Sequence, residues 1–279
     1  MATAIFGQTG QEVTRVGLGG EGVLRTFGRT GDAREVIEAA IDHGIAYFDS
    51  ARVYADSEVY YGSVWQARPE TRFRIFQASK SASRDKRGAL MDLAQTLGRL
   101  KTDYLDLWQI HDVRTADDLA AISGPGGALE AFLEAKSTGK ARWIGVTGHH
   151  DPRILTAAVR QWPVDAVMLP VNPVEGVLGG FLTSTLPAAR EKGLAIIAMK
   201  VLGAFHYIVS QWGVTAELLI RYALSYDVAV VIVGCARPAE VHTLATAGGA
   251  PPLSEAEKSR LVKVFEPYAP QLAYYRGKI

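Results

Sequence analysis

Short apolar runs, each ending in polar residues, recur along the whole chain. Nearly every position within a run is apolar, without the alternation expected of a strand that has one solvated face. Such runs are typical of parallel strands that are buried on both faces. The runs are Ile45–Asp49, Phe73–Lys80, Tyr104–His111, Trp143–Thr147, Ala166–Leu169, Leu194–Met199 and Val228–Val233. They predict seven strands of a parallel sheet.

Longer stretches with helical spacing lie between these runs. One stretch carries its apolar residues three or four positions apart, at Leu90, Leu93, Ala94, Leu97 and Leu100. Another contains Val36, Ile37, Ala40 and Ile41. Its helix is predicted to stop at Gly44, because glycine favours the position just after a helix end. Strands that alternate with helices indicate repeated βαβ units.

The number of units predicts the fold class. With Arg15–Gly19 as a first strand there are eight strands, which is the number that closes a (β/α)8 TIM barrel. A hairpin, Ala4–Phe6 turning through residues 7–11, is predicted to precede the barrel, and an extra helix with a capping box at Ser254 and Glu257 to follow it. No linker divides the chain, so residues 1–279 are predicted to form a single domain.

A doubly wound open sheet is the second fold hypothesis. It fits less well, because such sheets have about five or six strands and carry a G-x-G-x-x-G segment that opens a helix. This chain has only the partial pattern Gly17-Leu-Gly-Gly20.

Composition and charge narrow the function classes. Of the 279 residues 48% are hydrophobic and 21% charged, and 30 basic against 29 acidic residues leave a formal charge of +1. This balance argues against a protein that binds nucleic acid by bulk charge. The single cysteine, Cys235, excludes an internal disulfide, and no apolar stretch is long enough for a membrane span. We therefore expect a soluble, cytoplasmic protein, with no feature that specifies an oligomeric state.

Three ionisable side chains end three consecutive predicted strands. They are Asp49, Lys80 and His111, and both intervals between them are 31 residues. In a (β/α)8 barrel the active site lies at the C-terminal ends of the strands. Tyr54 follows Asp49 by five residues, which is close enough to reach back over the barrel mouth. The four residues are predicted to form one constellation.

These four residues together would protonate a carbonyl oxygen. A tyrosine has an ordinary pKa of about 10, and a nearby ammonium such as Lys80 would favour the phenolate and lower that pKa. Asp49 would pair with Lys80, and His111 would hold the carbonyl oxygen by a hydrogen bond or assist the proton transfer. No side chain can supply a hydride, so a redox cofactor is required.

The chain resembles the aldo-keto reductase family, which are (β/α)8 barrels that use NADPH or NADH. The matching segments are Phe48–Tyr54 with Ser57, Glu58 and Gly62, then Lys80, Asp103–His111, Gly139–Thr147 and Val231–Cys235. They occur in family order across nearly the whole chain. The resemblance implies that Tyr54 is the general acid and that Asp49, Lys80 and His111 complete a catalytic tetrad acting on a small carbonyl substrate.

The phosphates of a dinucleotide are expected after the last two strands, near the N-terminus of a helix. Gly203 follows the seventh strand, and Gly234 follows the eighth, with Pro238 at the predicted first position of a helix. Arg237 is placed to meet a 2′-phosphate, which favours NADPH over NADH. Cys235 is interpreted as packing beside the cofactor and not as a catalyst.

The chain departs from the family pattern on the nicotinamide side. A Ser-Asn pair, a glutamine and an aromatic residue are replaced by Thr147-Gly148, Met168 and Met199-Lys200. Met199 would give a flat, polarizable contact, and Thr147 and Asn172 would bond the carboxamide. The predicted cofactor-binding residues are Gly20, Thr147, Gly148, Asn172, Met199, Lys200, Gly203, Gly234, Cys235 and Arg237. No metal site is predicted.

Aromatic residues after the seventh strand are expected to line the pocket, at Phe205, His206, Tyr207 and Trp212. The final segment, residues 272–279, either folds over the mouth or is loose.

One alternative function is a metal-dependent barrel hydrolase that uses His111, Asp112, His149 and His150. The other is a non-catalytic, nucleotide-binding barrel that regulates a partner protein. The favoured prediction is an NAD(P)H-dependent reductase of an aldehyde or a ketone.

Overall fold

Eight parallel strands close into a barrel. The computed structural model describes residues 1–277. A two-stranded antiparallel hairpin, β1 (Thr3–Ile5) and β2 (Glu12–Thr14), precedes the barrel. The barrel strands are β3 (Val16–Gly22), β4 (Tyr47–Asp49), β5 (Phe76–Ser81), β6 (Leu105–Ile110), β7 (Ala141–Thr147), β8 (Ala166–Pro170), β9 (Ala195–Met199) and β10 (Val230–Cys235). Closure comes from β10, which pairs with both β3 and β9.

Helices connect consecutive strands and surround the barrel. They are α1 (Thr30–Asp42), α2 (Ser57–Ala67), α3 (Pro69–Arg72), α4 (Lys86–Leu100), α5 (Ala116–Ser123), α6 (Ala128–Ser137), α7 (Pro152–Gln161), α8 (Pro173–Leu178), α9 (Leu186–Glu191), α10 (Ala216–Leu224), α11 (Pro238–Gly249), α12 (Glu255–Phe265) and α13 (Ala269–Leu272). Within residues 1–277, none of them is long and apolar enough to cross a membrane.

The predicted fold class is confirmed, and so are several local predictions. Gly44 has a left-handed φ of +74° and follows His43, the residue that caps the C-terminal end of α1. Pro238 is the first residue of α11, and Ser254 forms a capping box with Glu257 at the start of α12. That the whole of residues 1–279 is one domain stays a prediction.

Two local predictions need correction. The third predicted strand began at Phe73, but β5 begins at Phe76, because Pro69 opens the short helix α3 and leaves Phe73 on the surface, 80% exposed. The C-terminal extension contains two helices, α12 and α13, where one was predicted.

An aromatic cluster closes the N-terminal end of the barrel. Phe6 follows β1 and is fully buried against rings from inside the barrel. Its ring centroid lies 4.9 Å from that of Phe76, which stacks on Tyr47 at 5.0 Å and on Trp143 at 5.7 Å. Because side chains fill this end, access to the barrel interior is from the C-terminal ends of the strands, where the polar residues lie.

We expect Phe6→Ala to lower the free energy of unfolding by about 3–5 kcal/mol, because it leaves a cavity in this aromatic cluster. Phe27→Ala is the matched control, since Phe27 is 76% exposed. Urea unfolding of both variants measures the difference. Equal effects of the two substitutions would contradict the assigned role of the hairpin.

Candidate active site

A cavity of about 750 Å³ opens at the C-terminal ends of the barrel strands. Its volume lies within the range of small-molecule and cofactor sites. All four residues of the predicted constellation line it, at Asp49, Tyr54, Lys80 and His111. The barrel thus brings together Asp49, Lys80 and His111, which are 31 residues apart in the sequence, with Tyr54 beside them.

A buried ion pair lies at the floor of this cavity. The Lys80 ammonium donates hydrogen bonds to Asp49 Oδ2 and, at 2.7 Å, to the carbonyl oxygen of Ser50. Both charged side chains are almost fully buried. Burial raises the pKa of the Asp49 carboxyl, and the Lys80 charge opposes that rise. The pair is fixed, because either charge alone would lack a partner in a site shielded from water.

The Tyr54 ring lies next to this pair, and two cations lie close to it. Lys80 Nζ lies 5.0 Å and Arg25 Cζ 4.8 Å from the ring centroid. The His111 ring meets Tyr54 edge-on at 5.6 Å between centroids. The ring packs on the backbone at Gly20, where an added Cβ would lie 2.9 Å from Tyr54 Cδ2. Gly20 is therefore required for the position of the ring.

A second buried network holds the loop that carries Tyr54. Arg99 Nη2 donates a 2.6 Å hydrogen bond to the carbonyl oxygen of Ala55, a non-glycine residue with a positive φ of +43°. Arg99 Nε also lies 3.3 Å from Glu58 Oε2. Buried Glu58 accepts hydrogen bonds from Ser79 and Thr96 at 2.7 and 2.8 Å. The network therefore ties the Tyr54 loop to β5 and α4.

The phenol of Tyr54 does not have the lowered pKa that the sequence predicted. Burial raises the pKa of Tyr54 well above its ordinary value, and the negative charge of Asp49 raises it further. Lys80 was expected to lower this pKa, but its ammonium is paired with Asp49 and bonded to Ser50. Tyr54 is consequently protonated at neutral pH.

His111 is neutral over the ordinary pH range. Burial, followed by the charge of Lys80, lowers the pKa of the imidazole from 6.5 to about 3. A neutral imidazole can donate one hydrogen bond, but it is not a proton donor at neutral pH. This state favours the hydrogen-bonding role over the proton-transfer role.

The predicted cofactor residues divide into two groups. Six line the cavity, at Gly20, Thr147, Met199, Lys200, Gly203 and Gly234. The Thr147 hydroxyl already accepts a 2.8 Å hydrogen bond from the Asp112 amide. Four lie outside the cavity wall, at Gly148, Asn172, Cys235 and Arg237. For Asn172, Cys235 and Arg237, contacts with neighbouring residues explain why the side chain lies outside the cavity wall.

The Asn172 side chain is committed to the protein itself. Its Nδ2 donates to the carbonyl oxygen of Lys200 at 3.1 Å and to Tyr275 Oη at 3.0 Å, while its Oδ1 caps α8 by accepting from the Glu175 amide. Tyr275 Oη in turn donates to Glu175 Oε1 at 2.8 Å. Both Nδ2 protons of Asn172 are therefore used within the protein, and its Oδ1 already accepts one hydrogen bond.

Cys235 ends β10, and Arg237 lies in the turn that leads into α11. The Arg237 side chain is 77% exposed and pairs with Glu240 at 3.1 Å. A second oxygen of Glu240 accepts a 2.7 Å hydrogen bond from the Ala236 amide, so a carboxylate already occupies the start of this helix. Cys235 is buried, and burial raises its pKa to about 12, which keeps it a thiol. This state agrees with a packing role.

The aromatic wall differs from the predicted one. Phe205 lines the cavity, whereas His206, Tyr207 and Trp212 do not, and the C-terminal segment adds the rings of Tyr274 and Tyr275 to the wall. Tyr207 is fully buried, and Trp212 stacks on Tyr268 away from the cavity.

The C-terminal segment folds over the cavity mouth as far as the structure describes it. Arg276 bonds Glu175, and the carbonyl oxygen of Tyr275 lies 3.2 Å from His149 Nδ1. The predicted segment also included Lys278 and Ile279, which lie outside the described residues. The sequence leaves two alternatives for this segment, and the position of Tyr274 and Tyr275 in the cavity wall agrees with the first of them, a segment that folds over the mouth.

The histidines of the metal hypothesis have other neighbours. His149 Nε2 lies 3.3 Å from Asp112 Oδ1. His150 contacts the C-terminal segment, whose Gly277 amide donates to the His150 carbonyl oxygen at 3.1 Å. Among residues 1–277, no group of three or more His, Cys, Asp or Glu side chains is arranged to hold a metal ion.

The fold is thus a (β/α)8 barrel, and its candidate site is a polar, partly aromatic cavity at the C-terminal ends of the strands. The model of the aldo/keto reductase family matches residues 16–207. The chain therefore belongs to the aldo/keto reductase family.

Two curated relatives illustrate the similarity. A 6-dehydroglucose reductase of Novosphingobium aromaticivorans is 35% identical over 142 residues, which cover 44% of each chain. An L-galactose dehydrogenase of Arabidopsis thaliana is 28% identical over 207 residues, covering 69% of this chain and 63% of the relative. The chain thus spans about half the length of the curated relatives it matches.

Solved structures share the fold over nearly the whole chain. An aldo-keto reductase from Bacillus halodurans in its holo form has a TM-score of 0.80 at 21% identity, and the match covers 95% of this chain and 96% of that one. An aldo/keto reductase from Klebsiella pneumoniae, in complex with NADP and acetate, has a TM-score of 0.74 at 22% identity, with 95% of each chain covered.

We expect His111 to make the protein less stable in acid. Below about pH 6.5 an unfolded histidine takes up a proton, whereas folded His111 does not until the pH reaches about 3. The unfolded state binds more protons in this window, so the free energy of unfolding falls as the pH falls, by at most about 1.4 kcal/mol per pH unit.

Urea unfolding between these two pH values tests this expectation. His111→Gln should flatten the fall, and His43→Gln, which changes a surface histidine, is the matched control. A slope that His111→Gln leaves unchanged contradicts the assigned protonation state.

Proposed function

We propose that this protein is an NAD(P)H-dependent oxidoreductase that reduces an aldehyde or a ketone to an alcohol, with Tyr54 as the general acid. The observation that carries the proposal is the convergence of Tyr54, the Lys80–Asp49 pair and His111 on one cavity. Membership of the aldo/keto reductase family supports the reaction class.

Tyr54 is suited to deliver a proton to the carbonyl oxygen. Its raised pKa keeps the phenol protonated at neutral pH, so the proton is available when negative charge develops on the substrate oxygen. The ring position is held from below by the Gly20 backbone, and the loop is held by the Arg99–Glu58 network. Because the phenol is already held in place, less entropy is lost on reaching the transition state for proton transfer.

His111 and the Lys80–Asp49 pair set the environment of that proton. Neutral His111, edge-on to the Tyr54 ring, can donate a hydrogen bond to the same substrate oxygen. The Lys80 ammonium places a positive charge 5.0 Å from the ring centroid, and Asp49 fixes the ammonium there. Such preorganised charge stabilises negative charge on the phenol as the proton leaves.

The residues of the cavity fit an anionic dinucleotide. Lys200 lines the cavity and, within the described chain, has no carboxylate in salt-bridge contact. Its backbone has a positive φ of +56°, an uncommon conformation that presents the residue at the end of β9. Lys200 and the backbone at Gly203 and Gly234 would hold the cofactor, beside Met199 and Thr147. When bound, the nicotinamide supplies the hydride that reaches the carbonyl carbon.

NADPH is the proposed cofactor in preference to NADH. The structural neighbour from Klebsiella pneumoniae was solved in complex with NADP, which supports this choice for a chain of the same fold. Arg237 is exposed beyond the wall near Gly234 and is paired with Glu240. A 2′-phosphate would compete with Glu240 for the guanidinium, since both are anions of suitable geometry.

Tyr54→Phe is expected to reduce kcat for NADPH-dependent carbonyl reduction by about 10²–10⁴-fold, because the proton donor is removed while the ring is kept. NADPH affinity, followed by fluorescence titration, should stay within about twofold, since the phenol is not assigned a cofactor contact. Tyr268→Phe, away from the cavity, is the control.

Two results would argue against this assignment. Full turnover in Tyr54→Phe would exclude Tyr54 as the acid. NADPH binding without turnover of any carbonyl compound in the unmodified protein would favour the non-catalytic, nucleotide-binding barrel.

Arg237→Ala is expected to weaken NADPH binding by about tenfold and to leave NADH binding unchanged, since only NADPH carries the 2′-phosphate. Isothermal titration with each cofactor measures the two affinities. Arg87→Ala, which removes an exposed arginine from the outer helix α4, is the control. A loss of affinity shared by both cofactors would place the role of Arg237 elsewhere.

A further inference from the structure

Arg25 lies against the Tyr54 ring, although nothing in the sequence pattern marks it. It ends a short 3-10 turn, Val23–Arg25, that follows β3. Its guanidinium carbon lies 4.8 Å from the ring centroid of Tyr54, and its Nη1 lies 2.9 Å from Glu21 Oε1. Both Arg25 and Glu21 line the cavity and are about half exposed.

We propose that Arg25 is a positioning residue that acts through Tyr54, by stabilising the negative charge left on the phenol when its proton departs, and that Glu21 limits this effect. The proposal rests on the proposed function of Tyr54 as the acid. A guanidinium over an aromatic face is attracted to the ring, and more strongly when the ring carries negative charge.

The chemistry of the step explains why this contact matters. During reduction the O–H bond of Tyr54 breaks, and the proton forms a new O–H bond with the substrate oxygen. A bound dihydronicotinamide would supply the hydride by breaking one of its C–H bonds and would be oxidised, while the hydride's electron pair would form the new C–H bond that turns the carbonyl into an alcohol. Tyr54 is left as a phenolate, whose charge spreads into the ring beside Arg25, until it is reprotonated from water.

Arg25 is a second cation beside the Tyr54 ring, in addition to Lys80. The titratable or charged groups that face the phenol or influence its protonation are Glu21, Arg25, Asp49, Lys80, His111 and Asp112. Lys80 is offset by Asp49 at the floor, and His111 is neutral. Burial, Asp49 and Glu21 raise the pKa of Tyr54, and among the largest influences Arg25 is the one that lowers it.

Substitutions of the two partners should act in opposite directions. Arg25→Gln removes the cation and should move the alkaline limb of the kcat profile for carbonyl reduction to higher pH by about 0.5 unit. Glu21→Gln removes the opposing anion and should move that limb to lower pH by a similar amount. Arg25→Lys should restore most of the unmodified profile. Arg29→Gln, an exposed arginine of the same loop paired with Asp32, is the matched control.

A second measurement follows the phenol without turnover. A ring-fluorinated tyrosine, more acidic than tyrosine, is placed at position 54, and its ¹⁹F shift is titrated in the unmodified, Arg25→Gln and Glu21→Gln backgrounds. The midpoint is expected to rise in Arg25→Gln and to fall in Glu21→Gln.

The outcomes separate this inference from the proposed function. Midpoints that coincide, or that move in the same direction in both variants, overturn the role of Arg25. A raised KM for carboxylate-bearing carbonyl compounds, with unmoved pH limbs and midpoints, also overturns it and makes Arg25 a substrate contact. Opposite shifts of the ¹⁹F midpoints support the role of Arg25 even if no carbonyl compound is turned over. The lack of turnover would then count against the proposed function and not against the role of Arg25.

Discussion

The buried ion pair between Lys80 and Asp49 is the interaction on which the candidate site depends. Two charges shielded from water are tolerated only because each partner compensates the other and Ser50 supplies a further acceptor. The pair joins the ends of β4 and β5 and sets the floor above which Tyr54 stands. The protonation of Tyr54 is governed first by burial, then by the charge of Asp49, and then by Glu21 and Arg25 at the mouth, which act in opposite directions.

The two ends of the barrel differ in polarity and in access to the interior. The Phe6 cluster closes the N-terminal end with apolar rings, which concentrates polar groups and access at the opposite end. There the C-terminal segment covers part of the mouth through the contacts of Tyr275 with Asn172 and Glu175. One side of the cavity is consequently formed by the barrel strands. The other side is formed by Tyr274 and Tyr275 of the C-terminal segment.

Part of this arrangement could be predicted because it is local in the chain. Asp49, Lys80 and His111 end apolar runs, and in a parallel barrel all strand ends of one kind lie at the same edge. The position of Tyr54 followed from its distance to Asp49. The raised pKa of Tyr54 could not be predicted, since it depends on how deeply the loop is buried and on which carboxylates face the phenol.

The sequence by itself determined the eight-stranded barrel, the constellation of four residues and the family. Hydrophobic periodicity and strand-end positions are local properties that can be recognised within short segments of the chain. Only the tertiary structure decided the neighbours of those residues. The contact of Arg25 with Tyr54 and the commitment of Asn172 to Tyr275 join segments remote in the chain, and their geometry follows from loop conformations. Such contacts leave no periodic trace in the sequence, yet they set the charge and the shape of the cavity.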